Sequence, residues 1–309
     1  MLVTACPGQG AQKAGFLSSW LELPGFAASL DELAEASGID LAAHGTVSDD
    51  ATITDTALAQ PLLVAAAIAS WREIFGAAEE PLTTDVVAGH SVGEIGAAHI
   101  AGILSAAEAM QLVQARGAAM ARAAAEAPSG MAAVVGGDPE QVLTAIAEAG
   151  LEPANVNGGG QTVAAGGTDA IAAFAENPPE RARVIPLKVA GAFHTSYMGS
   201  ATEAVAETAA ALTAADPRIP ILTNADGSRV ESGRAYLDLL VSQVTSPVRW
   251  DLCQAALLEA GVTGILELTP GGTLTGLAKR AMKGVEVFAV KSADDIEAAR
   301  EFVRGHARS

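Results

Sequence analysis

Two hydrophobic rhythms alternate along the chain. Short apolar runs bounded by turn residues predict strands at residues 2–6, 85–91, 131–137, 182–190, 220–224, 264–271 and 285–290. Longer stretches rich in alanine and leucine predict helices at 26–37, 59–75, 105–127, 138–150, 168–177, 195–213, 234–242, 249–261 and 273–282. The stretch 59–75 is apolar nearly all round, which marks a buried helix. Helix ends are punctuated. Ser105 followed by Glu108 forms a capping box, and Asp138 before Pro139 caps a helix that Gly150 stops.

Strand–helix alternation predicts a parallel sheet covered by helices. Residues 129–190 depart from it. Their order is β-α-β-β-α-β, with a Gly-rich hairpin at 152–167, and that is the order of a ferredoxin-like unit. The expected fold class is α/β. A parallel-sheet, hydrolase-like large domain would take residues 1–128 and 191–309, with a ferredoxin-like small domain of residues 129–190 inserted into it.

Composition narrows the picture. The chain has 309 residues, half of them hydrophobic, enough for a sizeable core. No apolar run is expected to reach the roughly 20 residues that span a bilayer. The start, "MLVTACPGQGAQ", has no basic residue before its apolar run, so a cytoplasmic protein with no membrane partner is expected. Its two cysteines, Cys6 and Cys253, lie far apart with no Cys/His cluster, so neither a disulfide nor a metal site is expected. A net charge of −18 argues against nucleic acid as a partner. Basic residues gather only at Arg181, Arg183 and Lys188, and at Lys279, Arg280 and Lys283. They read as solvated surface or as a docking patch for an acidic partner.

Chemistry concentrates around "DVVAGHSVGEIGAAHIA" at 85–101. Gly89-x-Ser91-x-Gly93 sits where a strand turns sharply into a helix, the setting of a nucleophile elbow. A serine hydroxyl there would meet unpaired N–H groups at a helix N-terminus, which favour an oxyanion. A serine needs a base. His90 should point away from its neighbour, and His194, where a strand is expected to give way to a helix, is better placed than His44, His99 or His306. Arg116 is conspicuous because its helical neighbours Leu112, Val113, Ala119 and Met120 are all apolar. A buried guanidinium is costly unless an anion meets it, either a distant Asp or Glu or a substrate carboxylate. Gly8, Gln9 and Gly10 form a turn whose amides could complete an oxyanion hole.

Eight segments in order, "PGQGAQ", "TALAQPLL", "GHSVGE", "QARGAAM", "NVNGGGQTVAAG", "GAFHTSYM", "QVTSPVRW" and "ELTPGGTLTGLAKR", resemble malonyl-CoA:acyl carrier protein transacylases and the acyltransferase domains of fatty-acid and polyketide synthases. The resemblance covers nearly the whole chain. It implies Ser91 as nucleophile, His194 as base and then acid, and Gln243 as the position whose main-chain or side-chain carbonyl orients the imidazole. It implies the Gln9 and Val92 amides as oxyanion hole, and Arg116 as the holder of a malonyl carboxylate. Phe193 would narrow the pocket against a 2-methyl branch, and His90, Gln60 and Asn157 would be further substrate-binding residues. It further implies a coenzyme A thioester and an acyl carrier protein as partners, with no cofactor or metal; a monomer is expected. The glycines of "NVNGGGQ", and Gly272, depart from the family's usual residues and should loosen their loops. The competing reading is an α/β-hydrolase esterase that uses Ser91 with Asp294 or Asp295 and His306.

Overall fold

The computed structural model describes residues 1–78 and 80–307. Among the described residues eight strands are formed: β1 (Leu2–Cys6), β2 (Val86–Gly89), β3 (Ser129–Gly136), β4 (Glu152–Gly158), β5 (Gln161–Gly167), β6 (Ala182–Pro186), β7 (Gly264–Glu267) and β8 (Glu286–Ala289). They make two sheets. One is parallel throughout, in the order β2-β1-β7-β8. The other is antiparallel, in the order β4-β5-β3-β6.

The parallel sheet is covered on both faces, as parallel sheets almost always are. Strand periodicity shows how. Leu2 and Cys6 of β1 face one core with Val87 and Leu266, whereas Val3 and Ala5 face a second core with Val86, Ala88, Ile265 and Trp250. Helices Thr56–Trp71 and Ala106–Glu126 pack along one another in the first core. The helical run Thr56–Gly76 is 21 residues long and, by length and composition, could cross a membrane, contrary to the expectation from the sequence. It is apolar because 78% of its most apolar stretch is buried inside the molecule.

The antiparallel sheet contains the β-α-β-β-α-β unit, with helices Pro139–Glu148 and Thr168–Glu176 on one face. Ala132 and Val134 of β3 point to those helices and close a separate core with Ile146, Leu151, Ile171 and Phe174. Met131 and Ala165 point the other way, into the core of the parallel sheet's side. β4 is tied to the large sheet's side by backbone bonds from Val156 N–H to the Val248 carbonyl and from Val248 N–H to the Ala154 carbonyl, both 2.9 Å.

Three expected elements changed form. The strand at 220–224 is reduced to a bridge between Ile221 and Val87, because Pro220 cannot donate and the chain turns back between Thr223 and Ser228. The strand expected to run to residue 190 ends at Pro186, so an irregular segment precedes His194. The helix expected at 195–213 is a 3-10 turn, Ser196–Ala201, capped by Thr195 and followed by helix Thr202–Ala211.

Because the small core is separate, it can be weakened alone. Ile146 is fully buried there. Ile146→Ala should cost about 2–5 kcal/mol of stability, read as a fall of several degrees in thermal midpoint. An unchanged midpoint would mean that the antiparallel sheet has no core of its own.

Candidate active site

Ser91 occupies the turn between β2 and helix Gly93–Ala101 and has a left-handed backbone, φ 54°. The flanking glycines are steric requirements. A Cβ on Gly89 would lie 2.1 Å from the Gly93 carbonyl carbon, and one on Gly93 would lie 2.3 Å from the Cys6 carbonyl oxygen. The backbone of the helix start thus rests against β1. Asn224 braces the turn: its Oδ1 accepts from the Ser91 N–H at 2.7 Å, and its Nδ2 donates to the Gly89 carbonyl at 2.8 Å.

The Ser91 hydroxyl is 2.7 Å from His194 Nε2. His194 Nδ1 is 2.9 Å from the main-chain carbonyl of Gln243. A carbonyl can only accept, so Nδ1 carries the proton and Nε2 is free to accept the serine proton. Of the two orienting groups the sequence allowed, the main-chain carbonyl is the one present. Burial, and then the nearby charge of Arg116, push the His194 pKa down to about 3, so the imidazole is neutral and its Nε2 lone pair is unprotonated.

Arg116 is fully buried and, among the described residues, has no carboxylate in contact with it. Nη1 donates to Gln60 Oε1 at 2.7 Å, Nη2 to Gln243 Oε1 at 2.8 Å, and Nη2 also reaches Ser91 Oγ at 3.5 Å. Its Nε has no partner among the described residues. Burial lowers its pKa to about 10, and the field of Glu94 raises it.

A cleft of about 280 Å³ is lined by Ser91 and His194 together with Gln9, Gln60, Val92, Phe193 and His90 among others; Arg116 does not line it and reaches it through Ser91 Oγ and Gln60. The Val92 and Gln9 N–H groups donate to nothing among the described residues and are available to an oxyanion. His90 lines the cleft but turns its Nε2 to Asn157 Oδ1 at 2.9 Å, with Trp250 against its ring, so it is held away from the serine proton. Asn157 itself does not line the cleft, contrary to the expectation that it meets substrate. It orients His90, and Asn155 of the same strand takes the lining position.

The sequence reading missed Glu94, Asn224 and Tyr236. Glu94 is 1% exposed and accepts from Asn224 N–H at 2.7 Å, from the Tyr236 hydroxyl at 3.3 Å and from Gln243 Nε2. The test that singled out Arg116, a charge in an apolar helix, applies equally to Glu94. Asn224 carried no such signal. Among the described residues, no group of three His, Cys, Asp or Glu is placed to hold a metal ion. The esterase arrangement fails on topology. His306 packs on Thr263 and Gly264, where β7 begins, whereas Ser91 follows the opposite, C-terminal end of β2.

The chain as a whole resembles known proteins. The model of the acyl transferase domain matches residues 3–302. The chain belongs to the acyl transferase family. It is 48% identical, over 96% of its length and 98% of the relative, to the malonyl CoA-acyl carrier protein transacylase of Mycobacterium tuberculosis. The crystal structure of MCAT from the same organism superposes with a TM-score of 0.91, covering 97% of this chain and 99% of that one. A type II PKS acyl-carrier protein in complex with its malonyl-transacylase gives 0.91 at 30% identity, covering 97% and 99%.

The two glycines of helix Gly93–Ala101 offer an internal control for this member of the family. A Cβ on Gly96 would make only ordinary contacts, the nearest at 3.5 Å. Gly96→Ala should leave stability unchanged or raise it by up to about 1 kcal/mol. Gly93→Ala should lower the thermal midpoint sharply and abolish activity. Equal effects in a thermal melt would show that the turn does not depend on the close approach to β1.

Proposed function

We propose that this acyl transferase moves a malonyl group from malonyl-CoA to the phosphopantetheine thiol of an acyl carrier protein, for fatty-acid or polyketide synthesis. The observation that carries the reading is Arg116: a guanidinium within 3.5 Å of Ser91 Oγ and, among the described residues, without a carboxylate in contact with it. Malonyl is an acyl group with a free carboxylate, and a guanidinium fork suits it. The names of the relatives support the same substrate pair.

Each half-reaction is an acyl transfer. In the first, Ser91 Oγ attacks the thioester carbonyl while its proton passes to His194 Nε2. The Gln9 and Val92 amides hold the oxyanion. The carbon–sulfur bond then breaks, and coenzyme A leaves with the proton from His194. In the second, His194 takes the proton of the carrier's thiol, and the sulfur attacks the malonyl-serine ester. The carbon–oxygen bond breaks, and the proton returns to Ser91. No metal or cofactor enters either step.

Phe193, beside His194 in the cleft, would work against a 2-methyl branch by about 1–3 kcal/mol. Gln60 and His90 complete the substrate wall. Lys188 lies at the cleft and is exposed, so we place the acidic carrier on the side of Arg183 and Lys188. A monomer acting in the cytoplasm completes this reading.

Incubation with malonyl-CoA should add one malonyl group to Ser91 in intact-mass and peptide spectra. An unmodified mass, with malonyl-CoA intact, would end this reading. Arg116→Ala should reduce malonyl transfer by at least about tenfold, one charge-assisted hydrogen bond being worth that much, and leave acetyl transfer unchanged or raised.

The lowered His194 pKa sets the pH response. His194 acts as base only when neutral, and its folded pKa lies far below the ordinary histidine value. The acylation rate should therefore stay flat from about pH 8 down to about pH 5, where an ordinary histidine would already be protonated. A loss of rate with a midpoint near 6.5, measured by stopped-flow acylation, would contradict this environment for His194.

A further inference from the structure

Glu94 takes no part in the acyl-transfer steps, yet it is a buried carboxylate three residues after the nucleophile. Each group aimed at it is a donor. Oε1 accepts from the Asn224 N–H at 2.7 Å and from the Tyr236 hydroxyl at 3.3 Å, and Oε2 accepts from Gln243 Nε2. Burial raises the Glu94 pKa to about 8, against the pull of the Asn224 and Tyr236 hydrogen bonds and of the Arg116 charge; in the ionised form that these donors favour, its oxygens only accept. The Gln243 side chain must therefore turn its NH2 toward Glu94, and its oxygen is left facing Arg116 Nη2 at 2.8 Å. Asn224 enforces the same polarity. Its Nδ2 is committed to the Gly89 carbonyl, so its Oδ1 is what meets Gln243 Nε2 at 3.3 Å.

The far side of the guanidinium is set in the same way. Gln60 Nε2 faces the Met120 sulfur at 3.5 Å, and its Oε1 accepts from Arg116 Nη1 at 2.7 Å. Arg116 is thus held at both ends by neutral oxygens. Neutral acceptors engage Nη1 and Nη2 without cancelling the charge, whereas a carboxylate in direct contact would compete with an incoming anion. Glu94 stands one amide away, near enough for its field to oppose in part the effect of burial on the cation.

We propose that Glu94 is a positioning residue for substrate choice: it fixes the polarity of the Gln243 amide, and so keeps Arg116 oriented and still charged for the acyl carboxylate. The inference rests on the malonyl reading of Arg116 and goes beyond it by naming the group that governs that arginine.

Glu94→Gln keeps the shape and removes one acceptor. Its new NH2 faces either Gln243 Nε2 or the Asn224 N–H. The first clash is relieved by reversing the Gln243 amide, which then points its NH2 at Arg116. The experiment measures kcat/KM for malonyl-CoA and for acetyl-CoA, which has no carboxylate. The malonyl-to-acetyl ratio in Glu94→Gln should fall by about tenfold or more, one charged hydrogen bond being worth that much. Gln243→Met keeps the main-chain carbonyl for His194 and cuts the link. It should lower the ratio similarly, and adding Glu94→Gln to it should lower the ratio no further.

An unchanged ratio, or equal loss on both substrates, would overturn the proposal, since a merely structural role would not discriminate between them. A further fall in the double variant would also overturn it. If Glu94→Gln does not fold, an unchanged ratio in Gln243→Met overturns it alone. Failure of the wild-type protein to form malonyl-Ser91 would instead undo the reading of the function.

Discussion

The approach of helix Gly93–Ala101 to β1 is the constraint on which the rest of the site depends. At Gly93 the two backbones are so close that no side chain fits between them, a Cβ coming within 2.3 Å of the Cys6 carbonyl. That contact forces the chain to reverse within a few residues of β2, and the reversal puts Ser91 into a left-handed conformation. A non-glycine residue holds such a conformation only when its surroundings over-determine it. Here they do, because Asn224 grips the peptide groups on both sides of the turn. The same turn carries Glu94 under the serine, so one piece of backbone geometry delivers both the reactive hydroxyl and the buried acid.

The elements whose signals are local were legible in the sequence. Ser105 and Glu108 form their capping box, Asp138 caps its helix, and the βαββαβ order yields the antiparallel sheet. Ser91, His194 and Arg116 were legible for a different reason: each breaks a local expectation, by a strained turn, by an unattached base or by a charge among apolar neighbours. Where context decided, the reading strayed. A strand at 220–224 was expected from its apolar run, but a proline and a tight turn leave only a bridge. The glycine run at 158–160 read as a loosened loop. All three residues have positive φ, so the glycines satisfy a backbone that other residues would strain. Asn224 could not have been found, because its function comes from meeting residues 130 or more positions away.

Asn157 marks another limit. Its motif pointed to substrate; in a regular strand Asn155 and Asn157 would share a face, but β4 is irregular between Val156 and Gly158, and Asn157 turns to His90 while Asn155 reaches the cleft. A motif fixes which residues matter more readily than what each one touches.

The electrostatics of the site follow from where its charges stand apart. A guanidinium deep in an apolar core would ordinarily be neutralised by a carboxylate in contact, and such a pair would have nothing left for an acyl anion. This fold inserts an amide between the two charges. The separation has a second effect, on the base. Burial already disfavours a protonated imidazole, and Arg116, uncancelled and close by, adds to that, so His194 stays neutral. The buried cation that suits an acidic acyl group therefore also keeps the base ready, and Gln243 joins the two functions physically. Its side chain holds the arginine while its main-chain carbonyl holds the histidine. In the proposed function, substrate recognition and proton transfer are thus coupled through the position of a single residue.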